Sequence, residues 1–272
     1  MNTPQSAPSR GLEARGVTKI FQSRRGSATR ALDSISVTAG DGEFIAIVGP
    51  SGCGKSTLLH CIAGLIELDG GSLLLDGRQI TGPGEERAVV FQDPSLLPWR
   101  TVRDNISFGM ELRRKPDRET ARARTEALID LVGLRGFETH YPSELSGGMR
   151  QRVNLARALA PHPRILLMDE PFGALDAQTR EAMQSELLTI WERDRKTVLF
   201  VTHDIEEAVY LADRVYVLSA RPGRVQQIVD IDLKRPRPPE IKRDAAFTAI
   251  ELNIWRLLQN QDPKAMNDER AA

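Results

Sequence analysis

Residues Gly49, Pro50, Ser51, Gly52, Cys53, Gly54, Lys55, Ser56 and Thr57 follow directly on the apolar run 44–48. Their spacing is G-x-x-x-x-G-K-[ST], set between a buried strand and a helix-compatible stretch, 57–63. The loop glycines, lacking Cβ atoms, let backbone N–H groups turn inward around a phosphate. The following helix aims its N-terminal amides at the same anion. On this reading Lys55 reaches the outer phosphates of a nucleoside triphosphate and the Ser56 hydroxyl ligates Mg²⁺.

Three further clusters fit such chemistry. The apolar run 165–168 ends in Asp169 and Glu170, and a strand end delivers a rigid carboxylate to the edge where open α/β sheets bind ligands. Asp169 is expected on the metal that Ser56 touches, and Glu170 is expected to accept a proton from an attacking water. His203 follows the strand expected over 197–202, where an imidazole either donates to a terminal phosphate oxygen or serves structure alone. Gln92 closes the strand expected over 88–92, so its amide is placed to ligate the metal or orient water. Finally, Ser146 precedes Gly147 and Gly148 at the start of a helix running to about residue 159. Ser146 is a natural N-cap, and the paired glycines expose backbone amides as a second anion cradle. A plain capped helix does not need two glycines, which cost about 1 kcal/mol each. His60, His140 and His162 have no comparable placement.

These groups need a scaffold. Strands are expected over 12–18, 34–38, 44–48, 72–75, 88–92, 165–168, 197–202, 214–218 and 224–233, with helices over 178–193 and 205–212. That alternation predicts a mostly parallel α/β sheet with helices on both faces. Residues 94–159 are Arg- and Glu-rich with Leu128, Ile129 and Val132 at helical spacing, which predicts a largely helical insertion. Residues 1–10 are expected to be a flexible N-terminus, with the main domain spanning 11–233. Residues 234–239 are rich in Pro and Arg and read as a linker whose charge is solvated, with a lipid headgroup contact as the alternative. Beyond them Phe247, Ile250, Ile254, Leu257 and Leu258 form one apolar stripe, predicting a helix over 244–259 that packs back on the body.

The chain has 272 residues, with Lys+Arg 37 against Asp+Glu 37. This balance offers no global electrostatic case for nucleic acid as a partner. No apolar run approaches the ~18 residues of a membrane span, and the polar start lacks a signal peptide's apolar segment, so a cytoplasmic chain is expected. Cys53 and Cys61 do not have a zinc spacing, and a reducing compartment suits them. Cys53, inside the phosphate loop, reads as a packing residue, with redox sensing as the alternative.

Taken in order, these motifs resemble the ATP-binding subunits of ABC transporters over nearly all of residues 11–233. The match implies a P-loop ATPase core with an N-terminal antiparallel β-subdomain and an inserted helical subdomain. It aligns Gly49–Thr57 with Walker A, Gln92 with the Q-loop and Leu145–Gly148 with the signature motif. Asp169 and Glu170 align with Walker B, Asp176 with the D-loop and His203 with the switch histidine. Phe21 stands where family members stack an aromatic ring on adenine, and Met149 replaces the usual Gln after the signature glycines. The resemblance implies a head-to-tail homodimer, in which Ser146 and Gly148 of one subunit close over the ATP held by Lys55 of the other. It also implies two permease subunits, whose coupling helices dock just after Gln92. Trp99 lies in that stretch, and the alternative for it is ordinary helical core. Residues 82–87, 96–100, Asp104, Asn105 and 222–224 resemble the nitrate, sulfonate and taurine import group, most of all its taurine members. A periplasmic binding protein and attachment to the cytoplasmic face of the inner membrane follow from that likeness. The rival classes are a non-transport ABC ATPase, a phosphate-loop small-molecule kinase and a non-catalytic nucleotide-gated scaffold, the last disfavoured by Glu170 and His203.

Overall fold

The computed structural model describes residues 10–22, 28–111 and 117–259. The expected flexible start (all but Arg10) and the chain beyond residue 259 lie outside the described residues. In chain order the first elements are β1 (Gly11–Gln22), β2 (Ala28–Gly40), β3 (Phe44–Val48), α1 (Lys55–Ala63), β4 (Gly70–Leu75) and β5 (Arg78–Gln79). Next come β6 (Arg87–Val90), α2 (Val102–Glu111), α3 (Arg118–Leu131), α4 (Gly147–Leu159), β7 (Ile165–Asp169) and α5 (Ala177–Arg193). The chain ends with β8 (Thr197–Val201), α6 (Ile205–Leu211), β9 (Arg214–Leu218), β10 (Val225–Asp230) and α7 (Ala245–Gln259). They fall into two compact units, Met1–Gly84 with Thr197–Ala272, and Glu85–Lys196.

In the first unit, β2, β1, β4 and β5 form an antiparallel sheet. From residue 34 onward β2 alternates cleanly, with Ile35, Val37 and Ala39 buried and Ser34, Ser36 and Thr38 exposed. That period of two fits a sheet with one solvated face. The hairpin is longer than expected from sequence, pairing Gln22 with Ala28 at its far end. Of the extra residues 19–22 and 28–33 only Ala31 and Leu32 are buried, and as chain neighbours they give no apolar alternation that sequence could display. By contrast β3 lies between β8 and β9, parallel to both. All five residues of β3 and of β8 are buried, as expected for strands covered on both faces. Tyr216 in β9 joins this layer to the hairpin, its hydroxyl accepting from Thr38 N at 3.1 Å and lying 2.9 Å from Thr38 O.

One expectation fails at the C-terminal end of this unit. Within 234–239 Lys234 is exposed, but the charges of Arg235 and Arg237 are not solvated. Arg237 is only 4% exposed, and its guanidinium donates to the carbonyls of Val209, Tyr210 and Ala212 at 2.8–3.2 Å. The same group also donates to Ile231 O and Leu233 O, and Arg235 donates to Asp213 and to Leu211 O. A helix leaves its last carbonyls without intrahelical partners, and these arginines cap the end of α6. The tyrosine of that helix returns the bond, Tyr210 Oη donating to Arg237 O at 3.0 Å. α7 then packs on α6 and β9, burying Phe247 and Ile254 from the expected stripe.

In the second unit, β6 and β7 pair in parallel, Val90 opposite Met168. The helices α2, α3, α4 and α5 pack on one another around Ile106, Leu128, Ile129, Val153 and Leu187. An irregular stretch at 91–101 precedes α2, and another at 132–146, with one 3₁₀ turn at Pro142–Glu144, separates α3 from α4, so the expected insertion contains more loop than its periodicity suggests. Asn105 staples one of them. Fully buried, it donates to Leu97 O, Arg100 O and Thr101 O and accepts from Leu97 N.

Candidate functional site

The first unit presents the phosphate loop. β3 ends at Val48, the chain turns through 49–54, and α1 begins at Lys55. Gly54 caps the helix with φ 103°, a left-handed conformation that favours glycine. A Cβ there would also lie 2.7 Å from Leu32 Cδ2 and 2.9 Å from Ala31 O. No acidic side chain stands in the first turn of α1, so the positive end of the helix is left for an external anion. Lys55 is 5% exposed and donates to Gly49 O at 2.8 Å and Pro50 O at 3.1 Å. Those bonds lay its ammonium along the loop it belongs to. Ser56 and Thr57 are half-buried in the same turn, while Ser51 and Gly52 are exposed. Cys53 is buried, and burial pushes its thiol up from its ordinary range, against the pull of Lys55. A neutral thiol at physiological pH fits the packing reading.

His203 follows β8 by two residues and is exposed. The residues on either side of it are fixed by hydrogen bonds. The Thr202 hydroxyl donates to Glu207 Oε2 at 2.7 Å and accepts from Asp204 N at 3.0 Å. Asp204 in turn caps α6, accepting from Glu207 N at 3.1 Å. Sequence reasoning passed over Thr202, Asp204 and Glu207, although an Asp followed three residues later by Glu at a helix start is a capping signal. Phe21 lies on β1, 42% exposed, with Lys19 Nζ 5.6 Å from its ring centroid.

The second unit gathers the carboxylates and the amide. Because Val90 and Met168 are in register, Gln92 and Glu170 each lie two residues past paired positions at the same sheet edge. Gly173 sits between their side chains: a methyl group there would lie 3.2 Å from Gln92 Nε2 and 3.9 Å from Glu170 Oε2. Asp169 ends β7 and is half-buried. Glu170 adopts φ 45°, the left-handed region that a non-glycine residue rarely occupies and that concentrates at functional sites. Asp169 and Gln92 offer hard oxygen donors of the kind Mg²⁺ takes, as does the Ser56 hydroxyl of the other unit.

Ser146 caps α4, its hydroxyl accepting from Met149 N at 3.2 Å. Gly147 is exposed, and a Cβ there would meet only ordinary contacts. At Gly148 a Cβ would lie 2.6 Å from Thr179 Cγ2 in α5, so close helix packing accounts for that glycine. Asp176 caps α5 by accepting from Thr179 N at 3.0 Å, and that bond, with the Thr179 hydroxyl, holds its carboxyl below the usual range. α4 also pins the loop after Gln92. Asn154 donates to Phe91 O, and Arg157 donates to Pro94 O and Ser95 O at 2.7–3.2 Å. Trp99, 72% exposed, is not helical core.

Known proteins are similar to this chain over most of its length. The family model for ABC transporters matches residues 32–173. An uncharacterised ABC transporter ATP-binding protein of Methanocaldococcus jannaschii is 55% identical, covering 94% of this chain and 94% of its own. The nitrate import ATP-binding protein NrtD of Synechocystis is 47% identical, with coverage of 92% and 96%. The taurine import ATP-binding protein TauB of Rhizobium johnstonii is 52% identical, with coverage of 79% and 82%. Among solved structures, a dimeric post-hydrolysis ATP-binding cassette bound to ADP and Pi is 31% identical, at a TM-score of 0.71. It covers 82% of this chain and 100% of that one. Among the described residues no helix is long and apolar enough to cross a membrane. The fold is that of the α/β P-loop ATPases, and the chain belongs to the ABC transporter ATP-binding family, whose ATP hydrolysis is coupled to transport.

Proposed function

We propose that this chain energises import of taurine or a related sulfonate, working as a homodimer beneath two permease subunits at the cytoplasmic face of the inner membrane. A periplasmic binding protein delivers the solute. The observation that carries this reading is the identity of 47–52% to nitrate and taurine import ATPases over most of the chain. Nitrate or another small solute of the same group is the second reading, favoured by the 47% identity to the nitrate relative over 92% of this chain.

In the reaction, water attacks the γ-phosphorus in line and ADP departs with the bridging oxygen. Glu170 accepts the water proton, its placement supported by the left-handed backbone that turns it off the end of β7. Lys55 and the amides of 49–57 hold the phosphate oxygens as charge develops. Gln92 orients the water, and His203 donates to the γ-phosphate. Ser56, Asp169 and Gln92 would hold Mg²⁺, which when bound offsets charge on the phosphates. Phe21 stacks on adenine. Ser146, Gly147 and Gly148 of the partner close the site, with Asp176 beside it.

Purified chain reconstituted with its permease and binding protein in proteoliposomes tests the cargo. Taurine or an alkanesulfonate is expected to stimulate ATP hydrolysis and accumulate inside. Stimulation by nitrate alone would replace this reading with the second one.

A further inference from the structure

The turn between β9 and β10 packs against the phosphate loop, within the first unit. Ser219 N donates to Arg224 O at 2.9 Å, and the Ser219 hydroxyl donates to Pro222 O and accepts from Arg224 N, both at 3.1 Å. The turn is moored to β2, with Gly223 N donating to Ala31 O and Asp33 N to Gly223 O, both at 3.0 Å. Arg224 also pairs with Asp33. Gly223 then lies so near the loop that a Cβ would stand 2.2 Å from Cys53 O. From this mooring Arg221 reaches over, donating through Nε at 3.2 Å and through Nη2 at 3.1 Å to a single acceptor, Gly52 O.

A loop that binds phosphate must turn its N–H groups inward, and its carbonyls then need partners on the other side. We propose that Arg221 is a positioning residue of the phosphate loop, anchoring the Gly52 carbonyl so that the loop amides stay aimed at the triphosphate. This rests on the nucleotide-binding reading above. The two-pronged guanidinium suits the task because both donors meet one oxygen in a fixed plane, which an ammonium cannot reproduce. The side chain is exposed, so solvent reduces the worth of the bond, and its effect belongs to binding rather than to the chemical step.

The test measures binding of a non-hydrolysable Mg–ATP analogue, steady-state ATP hydrolysis and nucleotide-free thermal unfolding on the full-length chain. R221Q is expected to weaken analogue binding about five- to tenfold, as loss of one charge-assisted bond partly exposed to water implies. KM should rise in parallel, with kcat within about twofold and the unfolding temperature within about 2 °C. R221K is expected to fall between wild type and R221Q, and it serves the same comparison if R221Q misfolds. Wild-type affinity in both variants overturns the inference. So does a loss confined to kcat, or one matched by a large fall in unfolding temperature. A wild-type chain that bound no analogue would instead sink the proposed function.

Discussion

At the scale of single residues, the proposed reaction gives two neighbours at the end of β7 different tasks, binding to one and turnover to the other. Asp169 and Glu170 are adjacent, but only Glu170 takes the left-handed backbone. Glu170→Gln keeps shape and removes the proton acceptor, so ATP binding should persist while kcat falls about 10²–10⁴-fold. Single-turnover hydrolysis with radiolabelled ATP, beside equilibrium binding, measures both. A rate equal to wild type would remove Glu170 from its role. A second residue-scale expectation concerns Cys61, buried in α1. Burial first, with a smaller push from Asp69 and an opposing pull from Lys19, raises its thiol from 9.0 to about 11. The folded chain thus holds this proton more tightly than the unfolded chain. The stabilisation is complete below about pH 9 and is lost as pH rises towards 11. Denaturant midpoints should decline across that window, and Cys61→Ala should make the decline shallower.

At the scale of elements, α6 is the joint on which the most depends. Its start carries the Thr202–Asp204–Glu207 bonds that flank His203, and its end is capped by Arg235 and Arg237. Arg237→Met should destabilise the chain by about 2–4 kcal/mol, because several buried carbonyls lose their donor. A solvated linker arginine would change stability by less than about 0.5 kcal/mol, so urea unfolding discriminates the two. This is also where sequence reading met its limit. Strands β3, β7 and β8 were legible because burial on both faces leaves an unbroken apolar run. The groups at their ends, Asp169 and His203, were legible because motif spacing marks strand ends. The arginines were not legible, since a guanidinium that caps a helix and one that faces water look alike in composition. The reasons for Asn105 and Gly148 were hidden as well: the polar groups of the irregular loop just before α2, and a methyl on α5.

At the scale of the whole molecule, the proposed cycle needs two copies, since Ser146 of each is to close on Lys55 of the other. Ser146→Arg should leave Mg–ATP affinity within about threefold and abolish steady-state hydrolysis, as should Lys55→Ala through lost binding. Mixing the two variants should restore about a quarter of wild-type activity, because half the pairs formed at random are mixed and each mixed pair rebuilds one intact composite site of two. No recovery on mixing, with both proteins folded, would refute the head-to-tail arrangement. The capping arginines set a different kind of boundary. Every residue assigned to the ATP site, Arg221 and its mooring included, precedes position 225, so a gene shortened to end at 233 would still encode the complete catalytic complement. Its product would nonetheless lack the guanidinium that closes α6 and should be cleared by cellular proteases. One ending at 259 should survive limited trypsin digestion intact. Selection on this tail can therefore operate through persistence of the folded chain, without any contact to nucleotide.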